Sequence, residues 1–182
     1  KRDHRKIGRH LNLYSFHPEA PGMPFFHDKG QFIWDKLADF MATEMKKRDY
    51  EMNKTPMILN KELWLRSGHW DHYKENMYFT EIVKQEYAVK PMNCPGNVLV
   101  YKTDIHSYKE LPIRAGEFGL VHRHELSGVL SGLFRVRVFT QDDAHVFCTK
   151  EQIASEVKEL LDFIDIIYKT FGFEYEMQLS TR

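Results

Sequence analysis

The chain has 182 residues, 42% of them hydrophobic, which is enough for one ordinary globular domain with a real core. Its 26 Lys and Arg balance 26 Asp and Glu, so no overall basic field points to nucleic acid, and any such contact has to be local. No apolar run reaches the length of a membrane span and no signal peptide is visible, so a cytoplasmic chain with no membrane partner is expected. In that reducing compartment Cys94 and Cys148 are expected as buried thiols or thiolate ligands rather than as a disulfide.

Residues 3–13 read as a short helix, followed by irregular chain with proline turns up to Phe26. Between Lys29 and Arg48, Phe32, Ile33, Leu37, Phe40, Met41 and Met45 recur at helical spacing, which predicts a long amphipathic helix. "YEMNKTPMIL" reads as a strand interrupted by Pro56, as at an edge or interface. "NKELWLRSG" reads as a short helix with Asn60 as its N-cap. "EYAVKPM", "IRAGEFGLVHRH", "LFRVRVFTQDDAHVFC" and "FEYEMQLS" have the β-branched and aromatic alternation of strands. Thr149 and Gln152 form a capping box before a helix that stops at Gly172. Adjacent strands with few crossovers predict an α+β fold, an antiparallel sheet flanked by helices.

Three stretches carry candidate chemistry. In "MNCPG", Pro95 and Gly96 make a turn that places Cys94 at a strand end; a lone cysteine there is either core or a ligand. In "TQDDAHVF", alternation puts Gln141, Asp143 and His145 on one strand face and Asp142 and Ala144 on the other. That triplet is either a solvated sheet face or a site. In "VHRHE", Arg123 and Glu125 share one face and His122 and His124 the other, so the first two either form an ion pair or bind something.

"FGLVHRHELSG" followed by "LFRVRVFTQDDAH" closely resembles the second signature motif of the class II aminoacyl-tRNA synthetases. "KRDHRKIG", "SGHWDHY", "PMNCPG" and "LPIRAGEFG" are similar to the threonyl branch of that family. The resemblance implies that residues 1–182 are part of a catalytic domain. It places the first motif at residues 36–56, as a helix and strand that form a homodimer interface. The third motif and an anticodon-binding domain would lie beyond Arg182, which leaves this stretch incomplete for catalysis.

The resemblance also implies a threonine–tRNA ligase. Threonine and ATP, with Mg²⁺, would give threonyl-adenylate, and the threonyl group would pass to the 3' end of threonine tRNA. Cys94 and His145 would be two ligands of a zinc ion, with a further histidine beyond this chain. An open zinc position could bind the amine and hydroxyl of threonine and reject valine, which has no hydroxyl. Met92, Gln141 and Asp143 would contact threonine. Arg123 would grip the α-phosphate of ATP, Arg135 the γ-phosphate and Glu125 the adenine amino group, while Phe139 would stack on adenine. His69 would assist transfer to the tRNA ribose.

Departures from the family pattern are Asn97 for a usual histidine, Val138 for glycine and His124 for asparagine. Val138 is expected to crowd Phe139 near the nucleotide. Two other readings remain: a catalytically inactive synthetase-like paralogue acting as a binding or regulatory module, and a zinc hydrolase built on Cys94 and His145. The hydrolase gives the arginine and phenylalanine spacing no role.

Overall fold

The computed structural model describes residues 2–178. They fall into two compact units, residues 1–105 with 114–145, and residues 106–113 with 146–182.

The first unit opens with α1 (His4–His10), capped by Asp3, whose side chain accepts from the Arg5 amide over 2.9 Å. β1 (Tyr14–Ser15) and β2 (Phe25–Phe26) form a small antiparallel pair. The expected long helix is α2 (Asp28–Lys46). The next apolar stretch is split at Pro56 into β3 (Tyr50–Asn53) and β4 (Ile58–Asn60), which enter different sheets. Asn60 then caps α3 (Lys61–Arg66), accepting from the Leu63 amide over 3.2 Å. α4 (His69–His72) follows.

β5 (Tyr78–Ile82) and β6 (Gln85–Val89) form a hairpin, with β4 added on the far side of β6. Trp64, Trp70, Met77 and Ala88 are the buried core of this part, with Leu59 and Tyr73 packed against it. α5 (Cys94–Tyr101) comes next. β7 (Ile113–His122) lies between β3 and β8 (Val138–Phe147) in the other sheet. The antiparallel expectation describes the β4-β6-β5 sheet, whereas β3 runs parallel to β7, with Asn53 opposite Glu117.

In the second unit, Thr149 and Gln152 make the expected capping box before α6 (Ile153–Thr170). The Gln152 side-chain amide also donates to the Leu111 carbonyl over 2.8 Å. Gly172, at φ +68°, ends the helix. The strand expected over residues 173–180 does not form over 173–178, and its last two residues lie outside the described ones. A strand needs a partner for its amides, and here the segment folds back instead. Tyr175 stacks on Tyr168 at 4.8 Å, and its hydroxyl donates to Asp165 over 2.7 Å.

Candidate functional site

Cys94 is not at a strand end. It is the first residue of α5, with Asn93 as the N-cap and Pro95 in the first turn. The first helical amides have no carbonyl to bond, so a proline lacking N–H fits there. Asn93 is fully buried, and its Nδ2 donates to Asp143 Oδ2 over 3.0 Å. The other Asp143 oxygen accepts from the Ala144 amide over 3.0 Å. Gly119 makes room for this contact, because a Cβ there would lie 2.2 Å from the Asn93 amide group. The Cys94 thiol is pushed up by burial and by Asp143, against an opposing pull from Arg123. Cys94 is thus within electrostatic reach of both charges.

On β8, Gln141, Asp143 and His145 are half-buried while Asp142 and Ala144 are exposed, as alternation requires. Gln141 Oε1 and His145 Nδ1 are buried without a hydrogen-bond partner among the described residues, and so is Asn93 Oδ1. Buried polar atoms normally have partners, so this face holds capacity for a ligand. The donor types suit a metal in part. Cys94 and His145 are ordinary zinc donors, and the imidazole nitrogen has no competing partner. Among the described residues no three His, Cys, Asp or Glu side chains are grouped to hold an ion, so a complete ligand set needs a donor from outside them.

Below α5 is a network that sequence reasoning missed. Lys90 and Glu117 are each 1% exposed and pair over 2.9 Å. Thr55 donates to Glu117 from its amide and its hydroxyl, and accepts from Lys90 over 2.8 Å. Asn97 Nδ2 donates to Glu117 Oε2 over 2.9 Å, and its Oδ1 accepts from Asn53 over 3.1 Å. Asn97 is thereby satisfied as an asparagine. Burial would raise the Glu117 carboxyl, but Lys90 and Thr55 hold it below the ordinary value.

β7 ends at His122, so Arg123 and Glu125 lie past the strand rather than on one of its faces. They do not pair with each other. Arg123 Nε donates to the Pro91 carbonyl over 3.0 Å, and its guanidinium carbon lies 5.2 Å over the Phe139 ring. Glu125 Oε2 instead accepts from Arg135, at 3.2 Å from Nε and 3.1 Å from Nη2. The buried Arg137 secures the loop, donating to the carbonyls of Glu125 and Pro21 and to the Ser127 hydroxyl.

His69 Nδ1 is 2.8 Å from the Ser67 hydroxyl, and its Nε2 contacts the Met92 sulfur. Burial holds this imidazole below its ordinary value. Val138 lines a hollow of about 550 Å³ with Gln31 and Trp34 of α2. Phe139 lines the same hollow. The His124 ring meets the Tyr78 ring edge-on at 5.6 Å.

The model of the tRNA synthetase class II core domain (G, H, P, S and T) matches residues 78–182, more than half of the chain. The chain belongs to this class II synthetase family. A threonine–tRNA ligase of Caldanaerobacter subterraneus subsp. tengcongensis is 63% identical over 182 residues, which is 100% of this chain and 28% of that protein. One of Finegoldia magna is 60% identical over the same length, 29% of its own. The chain therefore spans under a third of the length of these relatives. The solved RNA binding domain of the threonyl-tRNA synthetase of Cryptosporidium parvum superposes with a TM-score of 0.93 at 46% identity, over 96% of this chain and 44% of that chain.

The chain thus holds Asp143 on Asn93 beside Cys94, Arg123 on the Pro91 carbonyl and over Phe139, and His69 on Met92. Glu125 and Arg135 stand together on the loop, paired to each other. No described helix is long and apolar enough to cross a membrane.

Proposed function

We propose that the complete protein is a cytoplasmic threonine–tRNA ligase to which this chain contributes the first two class II motifs. The observation that carries the reading is that the segment leading into Cys94 holds both charges, Arg123 on the Pro91 carbonyl and Asp143 on the Asn93 amide. The amino-acid side and the phosphate side of the proposed site meet there. Asp143, held by Asn93, orients the ammonium of threonine, and Gln141 offers its unpartnered Oε1 to the same substrate. Met92 lines the pocket beside His69, which assists transfer to the terminal ribose of threonine tRNA.

Arg123 is held by the Pro91 carbonyl and the Phe139 ring, so its fork is oriented before ATP, with its Mg²⁺, arrives. A preorganised cation stabilises charge on the α-phosphate as the threonine carboxylate displaces pyrophosphate. Phe139 offers its ring to adenine. Glu125 and Arg135 exchange their mutual pairing for the adenine amino group and the γ-phosphate.

Cys94 and His145 would hold zinc with a histidine from outside this chain, and the bound ion would supply a Lewis-acid position for the amine and hydroxyl of threonine. The apolar residues left exposed within the first motif, Leu37 of α2 and Met52 of β3, suit the homodimer interface proposed for it.

Threonine-dependent exchange of pyrophosphate into ATP, measured on the complete protein, tests the reading. Exchange with threonine and not with valine is expected. A folded complete protein that shows no exchange with any amino acid would favour the inactive binding module.

A further inference from the structure

His4, in the "KRDHRKIG" stretch, has no part in the proposed chemistry. The residue is nonetheless held by several contacts. Its backbone carbonyl accepts from the Tyr14 hydroxyl over 3.1 Å, and Nδ1 lies 4.0 Å from Asp3. Its Nε2 accepts from the Leu133 amide over 3.0 Å, and the ring meets Phe134 edge-on at 4.4 Å. An acceptor at Nε2 requires the ring proton on Nδ1, the side that faces Asp3.

Leu133 lies in a tight turn closed by a bridge between Ser131 and Arg135, with Ser131 donating to the Arg135 carbonyl over 3.1 Å. Gly132 has φ +50°, and a Cβ there would come within 2.2 Å of His4 Nε2. The turn is therefore shaped to receive this imidazole, across 129 residues of sequence. Arg135, at the end of the turn, is the residue paired with Glu125.

We propose that His4 is a positioning residue: through the Leu133 amide it clamps the turn and so sets where Arg135 stands for the triphosphate. The role of Arg135 toward ATP rests on the ligase reading above; the clamp itself does not.

In the complete protein, His4→Phe keeps a ring against Phe134 and removes the acceptor, whereas His4→Gln restores an acceptor near Nε2. For His4→Phe we expect hydrogen exchange of the Leu133 amide and the KM for ATP in pyrophosphate exchange each to rise about tenfold, the effect of one lost hydrogen bond to an otherwise orphaned donor. The KM for threonine stays in place while the Tm falls by only the few degrees that one lost hydrogen bond costs, and His4→Gln returns the affected values toward those of the unmutated protein. The clamp is overturned if Leu133 exchange does not respond to His4→Phe. The positioning role is overturned if the KM for ATP stays unchanged beside faster exchange, or if both KM values rise together as the Tm falls. Should the unmutated protein lack pyrophosphate exchange altogether, the ligase reading fails by itself, and the Leu133 amide still decides whether His4 holds the turn.

Discussion

Arg123 lies over Phe139, with its guanidinium carbon 5.2 Å from the ring centroid, and takes no carboxylate partner among the described residues. A structural arginine of a sheet usually ends on an acid, and Glu125 stands only two residues away. Glu125 is engaged by Arg135 instead. Arg123 is therefore oriented by a ring and by the Pro91 carbonyl, neither of which neutralises its charge.

Arg123→Ala in the complete protein is expected to slow adenylate formation by on the order of a hundredfold, the cost of one preorganised donor at a developing charge. Arg123→Lys should not rescue it, because an ammonium has neither the planar fork nor the stacking face. Single-turnover adenylate formation measures this. If ATP affinity and rate survive Arg123→Ala while only the Tm falls, Arg123 serves the fold alone.

The Lys90–Glu117 pair predicts a strong asymmetry between single and double variants. Lys90→Met leaves the Glu117 carboxylate buried without its cation, and should destabilise by about 3 kcal/mol or more. Lys90→Met with Glu117→Leu removes both charges and should recover a large part of that loss. Urea unfolding of the three proteins decides; equal losses would mean that the charges do not compensate each other.

The same pair gives a pH dependence. Lys90 and Thr55 hold the Glu117 carboxyl below its ordinary value of 4.5, so its ionised form is the one the fold favours. A depressed acid contributes stability above about pH 4.5, and that contribution is lost as pH falls toward the folded-state value. Glu117→Gln should start less stable at pH 7 and lose less on acidification. A parallel fall of both proteins below pH 4.5 would assign the acid loss to other groups.

Local signals carried far in this sequence. The Asn60 cap and the Thr149–Gln152 capping box were readable because capping is a contract between residues three apart. The shared face of Gln141, Asp143 and His145 followed from strand alternation alone. β5 escaped because its hairpin turns through Val83 and Lys84 at φ +50° and +62°, where glycine or asparagine would have marked the turn. α5 escaped because "CPGNVLVY" has the proline and β-branched residues of a turn and a strand. The Thr55–Lys90–Glu117 cluster was invisible for a different reason. Thr55 and Glu117 stand 62 residues apart, and only the parallel pairing of β3 with β7 brings them together.

Zinc retention should depend on Cys94. The thiol and the unpartnered His145 imidazole supply two donors, fewer than a stable protein site needs. The complete protein is expected to keep zinc through dialysis against a chelator. Cys94→Ser and the 182-residue chain alone should both lose it. Stoichiometric metal on Cys94→Ser would remove Cys94 from the ligand set.

The contact between Asn93 and Asp143 separates amino-acid binding from ATP binding. Asp143 receives one hydrogen bond from a fully buried amide that has no freedom to move, because Gly119 leaves just enough space for it. Asp143→Ala removes the carboxylate proposed to hold the ammonium of threonine. The KM for threonine should rise about tenfold or more, as for a lost charged hydrogen bond, while the KM for ATP changes little. Gly119→Ala leaves Asp143 in the chain but sets a methyl 2.2 Å from the Asn93 amide, so Asn93 must shift and release the carboxylate. The same split between threonine and ATP is expected, in weaker form. Two substrates affected equally by Gly119→Ala, with a lower Tm, would mean that Asn93 serves packing and not the orientation of Asp143.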